Sequence, residues 1–209
     1  MKAVLSESMS AISALPETDL TIQAVGSRCA DVAAYKAQLT LLALLATIGM
    51  LFAGFASAYL VRREGMDWAR EQLPGILGFN TLVLLASSAA LEAARAAHRR
   101  GRSRNVRRWV AAGAFLGLAF LGGQLVAWRQ LAAQGVYLPS SAYSSFFYML
   151  TAVHAVHLAG GILALGYLVW RVSRYQQRRS EDGLLDGCVM YWHFVDGVWV
   201  LLYLLLLSY

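Results

Sequence analysis

Several groups capable of chemistry lie inside stretches of this sequence otherwise suited only to hydrocarbon. His193 and Asp196 sit three apart in Tyr191-Trp192-His193-Phe194-Val195-Asp196-Gly197-Val198-Trp199, ahead of an apolar run to Tyr209. His154 and His157 have the same spacing, which makes them neighbours on one helical face together with Thr151 and Gly161. Thr81, Ser88 and Glu92 follow at i, i+7 and i+11, one stripe of a third helix. Two helical histidines so spaced have the geometry of metal or haem ligands, and His193 would be a third nitrogen donor. Asp196 and Glu92 suggest a proton relay instead, because an ionised carboxylate at the centre of a membrane helix costs about 2.5–3.5 kcal/mol and needs a reason to be there. Against ligation, neither HExxH nor ExxH occurs, and no carboxylate lies within a turn or two of His154 and His157. The plainer reading is preferred. His154 and His157 are expected to hydrogen-bond to neighbouring helices and to Asp196, and His193 and Asp196 to form a buried, satisfied polar network; Asn80 and Gln124 are expected to bond between helices, and Glu92 to pair with Arg95 near a membrane edge.

The elements that must position these groups are continuous apolar runs. Of the 209 residues, 58% are hydrophobic and 14% charged, whereas a soluble domain is nearer a quarter charged, so the chain belongs in a membrane. A bilayer core of about 30 Å takes about 20 helical residues. Five runs meet that length: Ala37–Val61, Ile76–Ala97, Trp109–Trp128, Tyr143–Trp170 and Cys188–Leu207. They are unbroken rather than alternating, which excludes a β-barrel reading. The predicted fold is therefore all-α, a polytopic bundle of five transmembrane helices. Gly113 and Gly117 form a GxxxG pair in the third run, with Gln124 further along the same face, a pattern for close helix packing. At about 1.5 Å per residue, Asp196 falls roughly 12 Å beyond Cys188, near mid-membrane. Residues 1–36 are mixed in character and are expected to form a cytoplasmic, mostly extramembrane arm with no cleavable signal.

The net charge of +6 is distributed as a topology signal. Arg99, Arg100, Arg102, Arg104, Arg107 and Arg108 crowd the connection between the second and third runs, beside Arg95 and His98. Arg171, Arg174, Arg178 and Arg179 mark the connection between the fourth and fifth. On the other side Arg62, Arg63 and Arg70 are offset by Glu64, Asp67 and Glu71, and Arg129 stands alone. The positive-inside rule places the N-terminus in the cytoplasm and the C-terminus outside. Arg107, Arg108, Arg174, Arg178 and Arg179 are then candidates for lipid headgroups, and no nucleic-acid partner is expected. Cys29 and Cys188 fall on the cytoplasmic side, where a disulfide is not expected.

The string Tyr191-Trp192-His193-Phe194-Val195-Asp196…Val198-Trp199 resembles the C-terminal signature of subunit III of the haem–copper cytochrome c oxidases. Asn80-Thr81-Leu82-Val83-Leu84-Leu85-Ala86-Ser87 resembles that family's second characteristic helix, and Ser145-Phe146-Phe147…Thr151…His154-Ala155-Val156-His157 its histidine helix. Phe55-Ala56-Ser57-Ala58-Tyr59 fits the first helix of its short, five-helix members, in place of the seven helices of longer ones. The resemblance runs from about Leu41 to Tyr209. The glycines beside the family's histidines are Ala152 and Ala155 here, and the buried glutamate of longer members falls near Ile48 or Gly49, so that carboxylate's role does not carry over. The resemblance implies a subunit with no catalytic, cofactor-binding or metal site of its own. It implies haem and copper in partner subunits, packing against subunit I beside subunit II, bound phospholipid, support of proton uptake, and a bacterial cytoplasmic (inner) membrane location. The alternatives are an accessory subunit of a quinol oxidase or nitric oxide reductase, or a multi-histidine membrane haem protein.

Overall fold

The structure, a computed structural model, describes residues 17–65, 68, 73–174 and 182–208. Among them every regular element is helical: α1 (Glu17–Arg62), α2 (Ile76–Arg99), α3 (Ser103–Ala133), α4 (Ala142–Arg174) and α5 (Asp182–Leu207). Five helices are long and apolar enough to cross a membrane. Against the predicted runs, α3 starts at Ser103 rather than Trp109 and ends at Ala133 rather than Trp128, α5 starts at Asp182 rather than Cys188, and α1 starts at Glu17 rather than near Ala37. An established helix adds residues at little cost. Pro16 is the last proline before Pro74, so no proline interrupts the extension.

The chain divides into two compact units, residues 1–43 and 44–209. In the first, positions 32–40 of α1 are exposed. In the second, α2, α3, α4 and α5 form a ring: each packs on the next, and α5 closes back onto α2. A three-residue connection joins α2 to α3, with Gly101 at φ +68°, the left-handed region where a side chain would be strained. So short a turn makes α2 and α3 antiparallel neighbours.

Between helices in a membrane there is no hydrophobic driving force, so close packing must do the work, and small residues permit it. Gly113 lets α2 approach closely enough for Ser87 Oγ to donate to the Gly113 carbonyl at 2.9 Å. A Cβ on Gly113 would come within 2.8 Å of Leu91. One turn on, Gly117 meets α5: its Cβ would lie 2.6 Å from Trp192 Cη2, and one on Gly161 of α4 would lie 3.2 Å from the same indole. Trp192, 1% exposed, is thus wedged between a glycine of α3 and a glycine of α4. The α1 segment in this unit is held differently. Leu45, Ile48, Phe52 and Tyr59 make its buried stripe, and aromatic rings carry the contact: Phe52 on His154 and His157, and Tyr59 on Trp68 and Phe146.

Gly117→Ala is expected to destabilise the fold by about 1–3 kcal/mol through overpacking against Trp192. Gly166→Ala, on an exposed stretch of α4 with nothing near its Cβ, should change stability by less than about 1 kcal/mol. Unfolding midpoints of the two variants in mild detergent check the difference, and equal effects would remove Gly117 as a packing determinant.

Candidate functional site

The polar residues singled out in α2 and α5 meet along one seam. Trp199 Nε1 donates to Thr81 Oγ1 at 3.0 Å. One step along, Ser88 Oγ donates to Asp196 Oδ2. His193 bridges the next two levels, its Nδ1 lying 3.1 Å from Ser88 Oγ and its Nε2 2.7 Å from Glu92 Oε1. Arg95 completes the row, donating through Nη1 to Glu92 Oε1 and through Nε to Asp186 Oδ1, both at 2.8 Å. As residue numbers rise along α2 they fall along α5, so the row is the register of an antiparallel pair. Burial is graded along it: Trp199 and Asp196 are 0% and 4% exposed, while the side chains of His193, Glu92 and Asp186 are 35%, 50% and 61% exposed. The seam therefore begins in the core and ends at exposed side chains.

Ser88 and Glu92 make this possible because the i, i+7, i+11 stripe of α2 keeps Thr81, Ser88 and Glu92 on one side of the helix. On α5 the matching stripe is Asp186, His193 and Asp196, at i, i+7 and i+10. Asp186 escaped the sequence reading, although its place seven residues before His193 is a usable signal. The expected partners of Asp196 need correction. His193 does not bond it directly and His154 and His157 lie elsewhere; Ser88 is its donor. Two side chains three apart on one helix both lean toward the facing helix, which supplied a hydroxyl between them.

His154 is fully buried, against Trp199 at 4.9 Å between ring centroids, Phe120 at 5.9 Å and Phe52 at 6.4 Å. Neither of its ring nitrogens has a hydrogen-bond partner among the described residues. His157 points to its own helix, Nδ1 lying 2.8 Å from the Val153 carbonyl, and its carbonyl accepts from Tyr191 Oη at 2.9 Å. Asn80, 2% exposed, donates to the Phe120 carbonyl at 3.3 Å, close against Gly123. Gln124 is buried at 1%, yet its amide makes no hydrogen bond among the described residues, unlike the donation across helices expected of it. Trp128 and Thr151 form a further link, α3 to α4, at 3.0 Å. Among the described residues, no three His, Cys, Asp or Glu side chains gather as metal ligands. The histidines serve different contacts. Arg107 and Arg108 are exposed at the start of α3, and exposed Arg174 lies 6.0 Å over the Trp170 ring. Arg178 and Arg179 lie outside the described residues. Ile48 is buried and Gly49 faces the tip of Phe194, so apolar groups occupy the position where longer relatives were expected to carry a glutamate.

A family model described as "Cytochrome c oxidase subunit III" matches residues 35–209. The chain belongs to the cytochrome c oxidase subunit III family. A "Cytochrome c oxidase subunit 3" from Synechocystis is 32% identical over 74% of this chain and 68% of its own. A "Probable cytochrome c oxidase subunit 3" from Mycobacterium tuberculosis is 37% identical over 74% of this chain and 78% of its own. A "Cytochrome c oxidase subunit 3" from Thermostichus vulcanus is 33% identical over 80% and 85%. With five helices able to span a bilayer, the chain is a multi-pass membrane protein of that family. Within it, the signature around His193 and Asp196 is the α5 half of the seam, and the stretch from Asn80 carries the α2 half.

Removing one partner of a buried hydrogen bond leaves the other unsatisfied, at a cost of about 1–3 kcal/mol. Asp196→Ala is expected to lose that much, and Asp196→Asn, which keeps an acceptor for Ser88, distinctly less. Reversible unfolding in mixed detergent micelles checks the order, and an Asn variant as unstable as Ala would show that charge rather than hydrogen bonding holds the seam.

Proposed function

We propose that this chain is the non-catalytic subunit III of a haem–copper terminal oxidase in a bacterial cytoplasmic membrane. In this reading it packs against the catalytic subunit I in a complex with subunit II, and haem and copper reside in those partners. The complex oxidises cytochrome c, reduces oxygen and translocates protons, and subunit III stabilises the catalytic subunit, holds phospholipid and supports proton uptake. The observation that carries the reading is the family match over residues 35–209. The use of the polar groups inside the helices supports it: buried Asp196, Asn80 and Ser87, and partly buried Ser88, are engaged in joining one helix of this chain to another. The arginine-rich connection between α2 and α3 lies at the same end of the ring as the exposed part of the seam, since Arg95 near the end of α2 is tied to Asp186 there. That end is assigned to the cytoplasm by the positive-inside rule, and Arg107, Arg108 and Arg174 stand where anionic headgroups would meet them. An open groove lined by Ala53, Ala56, Ser57, Leu60 and Val61 of α1, Glu64 just beyond it and Leu201 of α5 offers phospholipid or a partner helix a mostly apolar surface.

Affinity purification of the tagged chain in mild detergent is expected to bring down haem- and copper-bearing subunits, while the chain stripped of them shows no Soret band. A stoichiometric Soret band in the isolated chain would overturn the proposal in favour of a haem protein. Partners that oxidise quinol or reduce nitric oxide would move the subunit to that type of complex.

A further inference from the structure

With Glu92 ionised, accepting from Arg95 and from His193 Nε2, the hydrogen-bond directions along the α2/α5 seam have two self-consistent solutions. Ser88 has one hydroxyl hydrogen. If it is donated to Asp196 Oδ2, Ser88 must accept from His193, so Nδ1 carries hydrogen. Nε2, 2.7 Å from Glu92 Oε1, then donates to that carboxylate as the second N–H of an imidazolium. In the other solution Asp196 is the acid and donates to Ser88, Ser88 donates to Nδ1, and a neutral His193 donates from Nε2 to Glu92. Both arrangements contain the same hydrogens. They differ by a coordinated shift of two: the Nδ1 hydrogen passes to Ser88 Oγ as the Ser88 hydroxyl hydrogen passes to Asp196. The net result is one proton moved from His193 to Asp196, so that an imidazolium and a carboxylate become a neutral imidazole and a carboxylic acid.

From this geometry we infer that the seam is a proton-exchanging site, in which His193 takes protons at the exposed end and Ser88 relays them to a store on buried Asp196. The inference stands on the seam alone and not on the oxidase assignment. Burial gives the chain its direction, from a half-exposed Glu92 and a partly exposed His193 inward to Asp196. The charged groups around the outer end are Arg95 and Arg99 of α2, which act on Glu92, and Asp186 of α5, which is held by Arg95. From α4, His154 is packed against Trp199 and His157 is bonded to its own helix, while α1 meets this level at Gly49, against Phe194. Among the described residues Asp196 Oδ1 has no hydrogen-bond partner, so the relay traced here ends at Asp196.

Infrared difference spectroscopy on the full chain, purified in mild detergent with the subunits that accompany it, tests this. A protonated-carboxyl band, assigned to Asp196 by its loss in Asp196→Asn, should vary with pH in step with the ring modes of His193. It should shift on transfer to heavy water. Ser88→Ala is expected to slow that exchange by roughly tenfold or more, the factor that goes with one hydrogen bond to a charged group, and Ser88→Thr, which restores the hydroxyl, to recover it. A purely structural seam would give no such recovery of exchange rate. If Ser88→Ala does not fold, Glu92→Gln decides: without its counter-ion the imidazolium is less favoured, so the Asp196 acid band should grow at constant pH. An Asp196 band absent at every pH, exchange in folded Ser88→Ala as fast as in the unaltered chain, or an unchanged band in Glu92→Gln would each overturn the inference.

Discussion

Hydrocarbon offers a carboxylate no hydrogen bonds, and placing Asp196 near the middle of a membrane helix constrains everything around it. Its donor, Ser88, has to come from another helix. That donor also meets an imidazole, whose far nitrogen reaches Glu92 at the exposed end. These contacts set the rotation of α5 and its register against α2 together, because a slip by one turn would separate Trp199 from Thr81, Asp196 from Ser88 and His193 from Glu92 at once. Individual interhelical hydrogen bonds in membranes are modest, on average about 0.6 kcal/mol. A row of them in one register is more selective than any one is strong.

With α5 turned so that Asp196 and His193 face α2, the adjoining stripe points into the ring. Trp192 lands between Gly117 and Gly161, and Trp199 lands on Phe120 and His154. Polar register and steric fit thus reinforce each other: the glycines leave room for an indole in one place, and the seam puts it there. The α1 segment beyond residue 43 follows a looser rule. It relies on Phe52 and Tyr59 reaching across to rings of α4 and to Trp68 rather than on backbone approach, which leaves an open groove beside it. The ring is fitted tightly between its helices, while each keeps exposed apolar side chains, such as Leu82, Phe115, Leu163 and Leu204, on its outward face.

The signature that marks the family in α5 is then a packing device first. Trp192, His193, Asp196 and Trp199 each point to a different neighbour or level, and together they tie the last helix to the other three of the ring. The same bonds run continuously from an exposed glutamate to a buried aspartate, and continuity is what a proton needs. One row of residues thus serves both packing and proton exchange without further parts.

Much of this was legible in the sequence. Continuous apolar runs announced the spanning helices, because an isolated helix is the cheapest way to satisfy its own backbone in lipid. The stripe of Thr81, Ser88 and Glu92 and the pairing of His193 with Asp196 by spacing were visible because periodicity is a property of a single helix. Which stripe met which was not visible. His193 and Asp196 read as partners of each other, yet each was completed by Ser88; His154 and His157 read as a pair, yet one faces tryptophan and phenylalanine and the other its own backbone. Gln124 read as a cross-helix donor, while Asn80 makes that kind of bond. The sequence by itself determined the number of spanning helices and the face on which α2 and α5 keep their polar groups. Only the tertiary structure decided the partners, because partner choice depends on rotation and register between helices, set jointly by where Gly113, Gly117 and Gly161 let backbones and Trp192 approach and by which hydroxyl reaches Asp196.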